Sequence, residues 1–291
     1  MSDQEQRRGI TMLVLGALGF SVMSVCVKLA GRELPVPMLV LARGVVTLVL
    51  SSAWVIRKGI SPWGNDRKRL LLRGVLGTGG LACFFYAVAN LPLAEATVIH
   101  YLNPILTSLV ALVFLGERLD RGLIVALVAS VIGTVLVTRP GAMFGAETPL
   151  PTAGVLAALG GAVFSAFAYT TVRRLRFTDD PHVIVMYFPV VAVPATLPFA
   201  IATWQSPTPR GWLLLLALGV ATQVSQVWLT KGLALVPAGR ATTVGYVQIA
   251  FAAVWGFLVF EELPAASTVA GAVLIVAGVL LLFRPAAPRP S

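Results

Sequence analysis

Charge is what this sequence has least of: only 12% of its 291 residues are Asp, Glu, Lys or Arg, against 57% apolar residues, and the mean hydropathy is +0.88. So little polar side chain cannot cover a water-soluble globule, and a lipid bilayer is the solvent this composition fits. Acidic residues are scarcest, twelve in all, and none stands at the middle of an apolar run. Two histidines and two cysteines lack the paired spacing of a metal site. Cys26 and Cys83 lie inside apolar runs, where they read as small packing side chains rather than a disulfide. No Gly-x-x-x-x-Gly-Lys-Ser/Thr loop occurs, so no ATP-binding loop of that kind and no ATPase partner is implied, nor any cofactor. In a soluble chain a net charge of +10 points to nucleic acid. Here the basic residues fall in the turns between apolar runs, which makes them orientation signals and leaves no role for nucleic acid.

What is present is a succession of apolar runs near the length of about 20 residues that spans a bilayer. They cover 10–30, 36–56, 70–91, 93–115, 122–139, 152–172, 182–203, 211–235, 238–260 and 266–284. The first follows Arg7 and Arg8 like a signal peptide, yet it is longer than an h-region and nine more runs follow, so it reads as a retained span. Counting basic residues on alternate turns gives two unequal sides. Arg7, Arg8, Arg57, Lys58, Arg67, Lys68, Arg69, Arg118, Arg121, Arg173, Arg174, Arg176, Arg284 and Arg289 share one, and Arg32, Arg139 and Arg210 the other. That imbalance predicts an even number of spans with both termini in the cytoplasm.

Sliding the chain by 145 residues superimposes its halves. Pro92 falls on Pro237, Ala96-Thr97 on Ala241-Thr242, Tyr101 on Tyr246, Glu117 on Glu262, Gly133 on Gly278 and Arg139-Pro140 on Arg284-Pro285. More faintly, Gly9 falls on Gly154 and Lys28 on Arg173. The expected division is 1–145 and 146–291, five spans each. Because five is odd, the second copy must enter the membrane from the opposite side. Two inverted copies about an axis in the membrane plane are the arrangement of alternating-access carriers.

Polar side chains in such spans are expected to face the interior, because an unpaired one in hydrocarbon costs several kcal/mol, of order 2–7. On the fourth span Thr97 and Tyr101 share a stripe beside His100, and Thr242 and Tyr246 answer them on the ninth. Gln223, Gln226 and Thr230 line one stripe of the eighth, Ser165 and Tyr169 face in from the sixth, and Ser21 and Ser24 from the first. With Phe84, Trp228 and the neighbouring Phe85, Tyr86 and Phe164, these make an aromatic cavity with neutral donors and acceptors. Such a lining suits a planar apolar side chain attached to a small zwitterion. Arg43 and Lys231, several residues inside their runs, are the candidate charged contacts. His100 reads as a neutral member of a hydrogen-bond network before it reads as a proton carrier.

The segments Leu93-Ala94-Glu95-Ala96-Thr97, Asn103-Pro104, Leu115-Gly116-Glu117-Arg118-Leu119 and Gly133, answered by Ala238-Gly239-Arg240-Ala241-Thr242, Glu261-Glu262-Leu263 and Gly278, resemble the drug/metabolite transporter superfamily in its ten-helix EamA-type group. The resemblance covers nearly the whole chain and implies an all-α polytopic membrane protein, ten helices in two inverted five-helix repeats. It also implies a central cavity lined by the first, third, fourth, sixth, eighth and ninth helices. Within the group the chain is similar to bacterial inner-membrane exporters of aromatic amino acids, which implies a small-molecule substrate, contact with membrane lipid and no enzymatic activity. A carrier of cationic drugs or sugar-like metabolites is the alternative. Two departures mark the halves as unequal: Glu95 stands where the second half keeps Arg240, and Gln248-Ile249 replaces Asn103-Pro104. No membrane-centre carboxylate is present to organise proton exchange, which favours facilitated export down a gradient.

Overall fold

Proline and aspartate mark where helices start. Asp66 caps one by accepting the Arg69 N–H at 3.1 Å and pairing with its guanidinium at 2.7 Å. Asp180 caps another, accepting the His182 N–H at 2.8 Å, with Pro181 at the first helical position. The computed structural model describes residues 3–103, 105–107, 109–110, 121–138, 150–175, 177–235 and 247–282. Ten α-helices are defined among them: α1 (Asp3–Ala30), α2 (Val36–Arg57), α3 (Arg67–Asn90), α4 (Leu93–His100), α5 (Arg121–Thr138), α6 (Thr152–Leu175), α7 (Pro181–Ala202), α8 (Pro209–Leu235), α9 (Val247–Phe260) and α10 (Ala266–Leu282). Six are long and apolar enough by themselves to cross a membrane, within α1, α2, α3, α6, α7 and α8. Large apolar side chains such as Val49, Ile56, Leu156 and Leu213 are exposed on them, a surface that suits lipid tails and not water.

The fourth run is not one continuous helix. α4 stops at His100, Tyr101 and Leu102 form a turn, and helical residues resume at Asn103. Pro104 accounts for the stop: it has no N–H to give the His100 carbonyl, and a proline ring clashes with the carbonyl four residues before it. At 1.5 Å per residue the break lies about 12 Å along the chain from Leu93, near the depth of a bilayer's centre. At the other end of α4, Leu91 is extended (φ −117°, ψ 161°), as a residue before proline must be, so α3 turns straight into α4.

Helix bounds repeat at the offset seen in the sequence. Adding 145 to the bounds of α2 gives 181–202, those of α7. Packing repeats too. Exchanging each helix for its equivalent turns the α1–α8 contact into α6–α3, α2–α8 into α7–α3, and α1–α9 into α6–α4, while α2–α7, α4–α9 and α5–α10 map onto themselves. Along α1–α8, Leu13 sits against Gly232, Gly16 against Leu229 and Gly19 against Ser225, so the two helices run antiparallel. Since α8 is the equivalent of α3, and α3 runs the same way as α1, the second five-helix set is inverted relative to the first.

Without a hydrophobic force between helices in lipid, close approach depends on small residues. Among the described residues the tightest approach to backbone is α5 against α10, where a Cβ on Gly271 would lie 2.4 Å from the Gly133 carbonyl oxygen and one on Gly133 2.7 Å from that of Gly271. Backbone cannot step aside as a flexible side chain can. Gly271→Ala is therefore expected to destabilise the protein by about 1–3 kcal/mol. Gly160→Ala, whose new methyl meets only Cys83 Sγ at 3.7 Å, should leave stability almost unchanged. Thermal unfolding of the two purified variants in detergent measures the difference.

On one face, the turn before α3 is tied to the turn before α7. Asp179 accepts from the backbone N–H groups of Asn65 and Asp66 and from the Thr178 hydroxyl. Burial pushes its carboxyl up, but these three donors outweigh it and hold the pKa below its ordinary value of 3.8.

Candidate functional site

The break in α4 brings polar groups of the two halves together. The Tyr101 hydroxyl donates to Gln248 Oε1 on α9 at 2.8 Å, and His100 packs its ring on Phe84 of α3, centroids 4.4 Å apart. His100 Nδ1 is buried with no hydrogen-bond partner among the described residues. A second crossing lies beside it, where Trp255 Nε1 of α9 donates to Ser21 Oγ of α1 at 3.0 Å. A hydrogen bond buried in an apolar bundle fixes two helices in one rotational setting, because slipping it leaves a donor and an acceptor without water to replace the partner.

At one end of the bundle, the halves are joined by charge. Lys28, buried at the end of α1, sets its ammonium 2.6 Å from Glu262 Oε1 and donates to the Leu91 carbonyl at 2.6 Å. Glu262 Oε2 accepts the Leu93 N–H at 3.0 Å, so one carboxylate holds both α1 and the α3–α4 turn. The ring of Phe260 lies under Lys28 and Arg32, at 5.0 and 5.4 Å. Glu262 is presented there by Glu261, which takes a left-handed φ of 57° that favours glycine. A few ångströms deeper, buried Glu95 accepts from Thr268 of α10 at 3.0 Å. In this structure that end is closed by contacts between the first half and the second.

The residues expected from sequence divide among these settings. Tyr101, His100 and Phe84 come together as described. Thr97 is buried, and its hydroxyl donates within α4 to the Leu93 carbonyl at 2.7 Å. Ser24 likewise turns inward on its own helix, to the Phe20 carbonyl at 3.1 Å, so Ser21 rather than Ser24 makes the contact across the halves. Ser165 packs on α3 beside Gly80, and Tyr169 is half exposed. Gln223 reaches the Ser51 hydroxyl of α2 at 3.5 Å. Gln226 and Trp228 are half-buried on α8, and Lys231 is exposed. Arg43 is an interior residue, over the rings of Phe85 and Phe188. The side chain of Thr230 and all of Tyr246 lie outside the described residues. Sequence reasoning passed over Arg73 and treated Gln248 only as a departure from symmetry. The first was detectable as a charge several residues inside an apolar run.

The sequence matches the EamA-like transporter family twice, over residues 7–139 and 152–284, two segments separated by the same 145 residues. It is 34% identical over 279 residues to the pseudopaline exporter CntI of Pseudomonas aeruginosa strain UCBPP-PA14, a similarity covering 96% of both chains. It is also 29% identical over 280 residues to solute carrier family 35 member G1 of Mus musculus, covering 92% of this chain and 76% of the relative. A solved crystal structure shares the fold over 97% of both chains, with a TM-score of 0.68 at 19% sequence identity.

Proposed function

The chain belongs to the EamA-like transporter family and is a multi-pass secondary transporter of small solutes, not an enzyme; we propose that it exports a small neutral, aromatic amino acid or a close derivative across the bacterial inner membrane by alternating access, its termini in the cytoplasm. The observation that carries this reading is the Tyr101–Gln248 hydrogen bond at the break in α4. A discontinuous helix at mid-membrane, where inverted repeats meet, is where carriers of this architecture hold their substrate. The groups gathered there are neutral and aromatic, which matches the stacking face and polar end of an aromatic amino acid better than a cationic drug. Outward direction is supported by the similarity to an exporter.

The charged closure supplies the second part of the mechanism. At the 145-residue offset Lys28 corresponds to Arg173 and Glu262 to Glu117, so the inverted copy carries the same base and acid for the opposite mouth. In the proposed cycle the halves, 1–145 and 146–291, rock about the α4–α9 contact. The Lys28–Glu262 pair opens as the Arg173–Glu117 pair forms, and the substrate biases the exchange only by its differential contacts in the two states.

Proteoliposomes loaded with purified protein are expected to equilibrate labelled phenylalanine or tryptophan faster than empty vesicles, and a proton ionophore should leave the rate unchanged. Absence of flux for every amino acid tested overturns the assignment of cargo.

A further inference from the structure

Two arginines meet at the junction of α2, α3 and α7, and neither joins the contacts between the halves described above. Arg43 and Arg73 both lie over the Phe188 ring, their guanidinium carbons 5.2 and 5.7 Å from its centroid, and Arg43 also lies 5.7 Å from that of Phe85. Sharing one ring brings two like charges together. Arg43 Nε and Arg73 Nε and Nη1 are buried without a hydrogen-bond partner among the described residues. Among the described residues no carboxylate pairs with either.

That combination costs stability. A guanidinium cannot shed its proton to escape a low dielectric, and two of like sign over one ring aggravate each other. Cation–π attraction offsets only part of the desolvation. The repeat does not require them: at the 145-residue offset Arg43 corresponds to Phe188 itself and Arg73 to Leu218. A structural role common to both halves would have left a basic residue at both positions.

We propose that Arg43 and Arg73 are the receiving site for the carboxylate of the transported solute, an inference that rests on the export reading above and shifts its cargo from a neutral amino acid to an acidic derivative of one. The planar fork of each guanidinium matches a carboxylate through paired N–H···O bonds. The ring of Phe188 provides an apolar wall beside it. Two cations favour a solute with a second acidic group over a plain amino acid, and exclude its amide.

Three probes sharing one ring separate the possibilities: L-phenylalanine, L-phenylalaninamide and N-carboxymethyl-L-phenylalanine, titrated against the full chain in phosphatidylcholine nanodiscs. Thermal stabilisation is expected to be largest for the dicarboxylate, smaller for phenylalanine and absent for the amide. Arg43→Gln and Arg73→Gln should each weaken binding of the dicarboxylate at least about tenfold, the loss of one charge-assisted hydrogen bond or more. Without probe they should unfold at or above the wild-type temperature, since each relieves the repulsion. Arg43→Lys, which keeps the charge and loses the fork, should fall between. Equal stabilisation by acid and amide overturns the proposal, as does a lower unfolding temperature with unchanged binding, the signature of a packing role. Stabilisation by phosphatidylglycerol alone would assign the pair to a lipid phosphate and also overturn it. The probe order in the wild type decides the matter even if a variant does not fold. Carboxylate-dependent stabilisation without flux in proteoliposomes supports the site and overturns only the export reading.

Discussion

Replacing Glu262 with Gln is expected to reduce flux by about a hundredfold, and exchanging the partners in Lys28→Glu/Glu262→Lys to recover a substantial part of it. Lys28 is buried, and its ammonium has two partners at 2.6 Å, the Glu262 carboxylate and the Leu91 carbonyl. Neutralising the carboxylate leaves the ammonium in place with neutral acceptors only, the Leu91 carbonyl and the amide oxygen of the new side chain. Breaking a buried pair on one side costs about 3–5 kcal/mol, because the surviving charge has lost its compensation. In a two-state carrier that cost falls on the conformation in which this mouth is closed. A shift of about 3 kcal/mol moves the population more than a hundredfold and starves the step that needs the closed state. Lys28→Met should lose nearly as much, since the stranded Glu262 is partly reached by water and keeps the Leu93 N–H. The measurement is initial flux in proteoliposomes for the two single variants and the exchange. Wild-type flux in Glu262→Gln would show that the pair is ornamental to the cycle.

The second large effect is expected at the α4 break. Tyr101→Phe removes the hydroxyl from Gln248 Oε1 and leaves that acceptor in an apolar bundle, a loss of about 1–3 kcal/mol. About tenfold or more of the transport rate should go with it. Gln248→Met should cost a similar amount, and the double variant little more than either alone, because both delete the same bond. Additive losses in flux would mean that the two side chains act separately and that the contact between halves at this depth is incidental.

Much of this architecture was legible because lipid imposes it. A spanning helix needs about 20 apolar residues, so the runs and their prolines located α2, α3, α5, α6, α7, α8 and α10 to within a few positions, while α1 starts seven residues before its run. The 145-residue repeat reappears in the helix bounds and in which helices touch. The exception is instructive: the run 93–115 reads as continuous by hydropathy because averaging hides a two-residue turn, although Pro104 carried the signal for it. Side-chain partners were harder. In a soluble helix the polar stripe reveals which face is inward. In α1 both faces are apolar, one toward lipid and one toward neighbours, so nothing in the spacing of Ser21 and Ser24 says which hydroxyl crosses to Trp255. The same degeneracy hid Gln248, whose value lies in a partner 147 residues away in the chain. Arg73 was overlooked for a different reason: it lies only three residues past the start of the run 70–91, where a basic residue is ordinarily an orientation signal.

All of the mechanism depends on the two halves being inverted, and single cysteines at the equivalent positions 118 and 263 test that directly. With Cys26 and Cys83 replaced by alanine, Leu263→Cys should react with a membrane-impermeant maleimide added to intact cells. Arg118→Cys should react only once the cytoplasmic face is exposed. Labelling of both from the same face would contradict the inverted architecture and the transport cycle built on it.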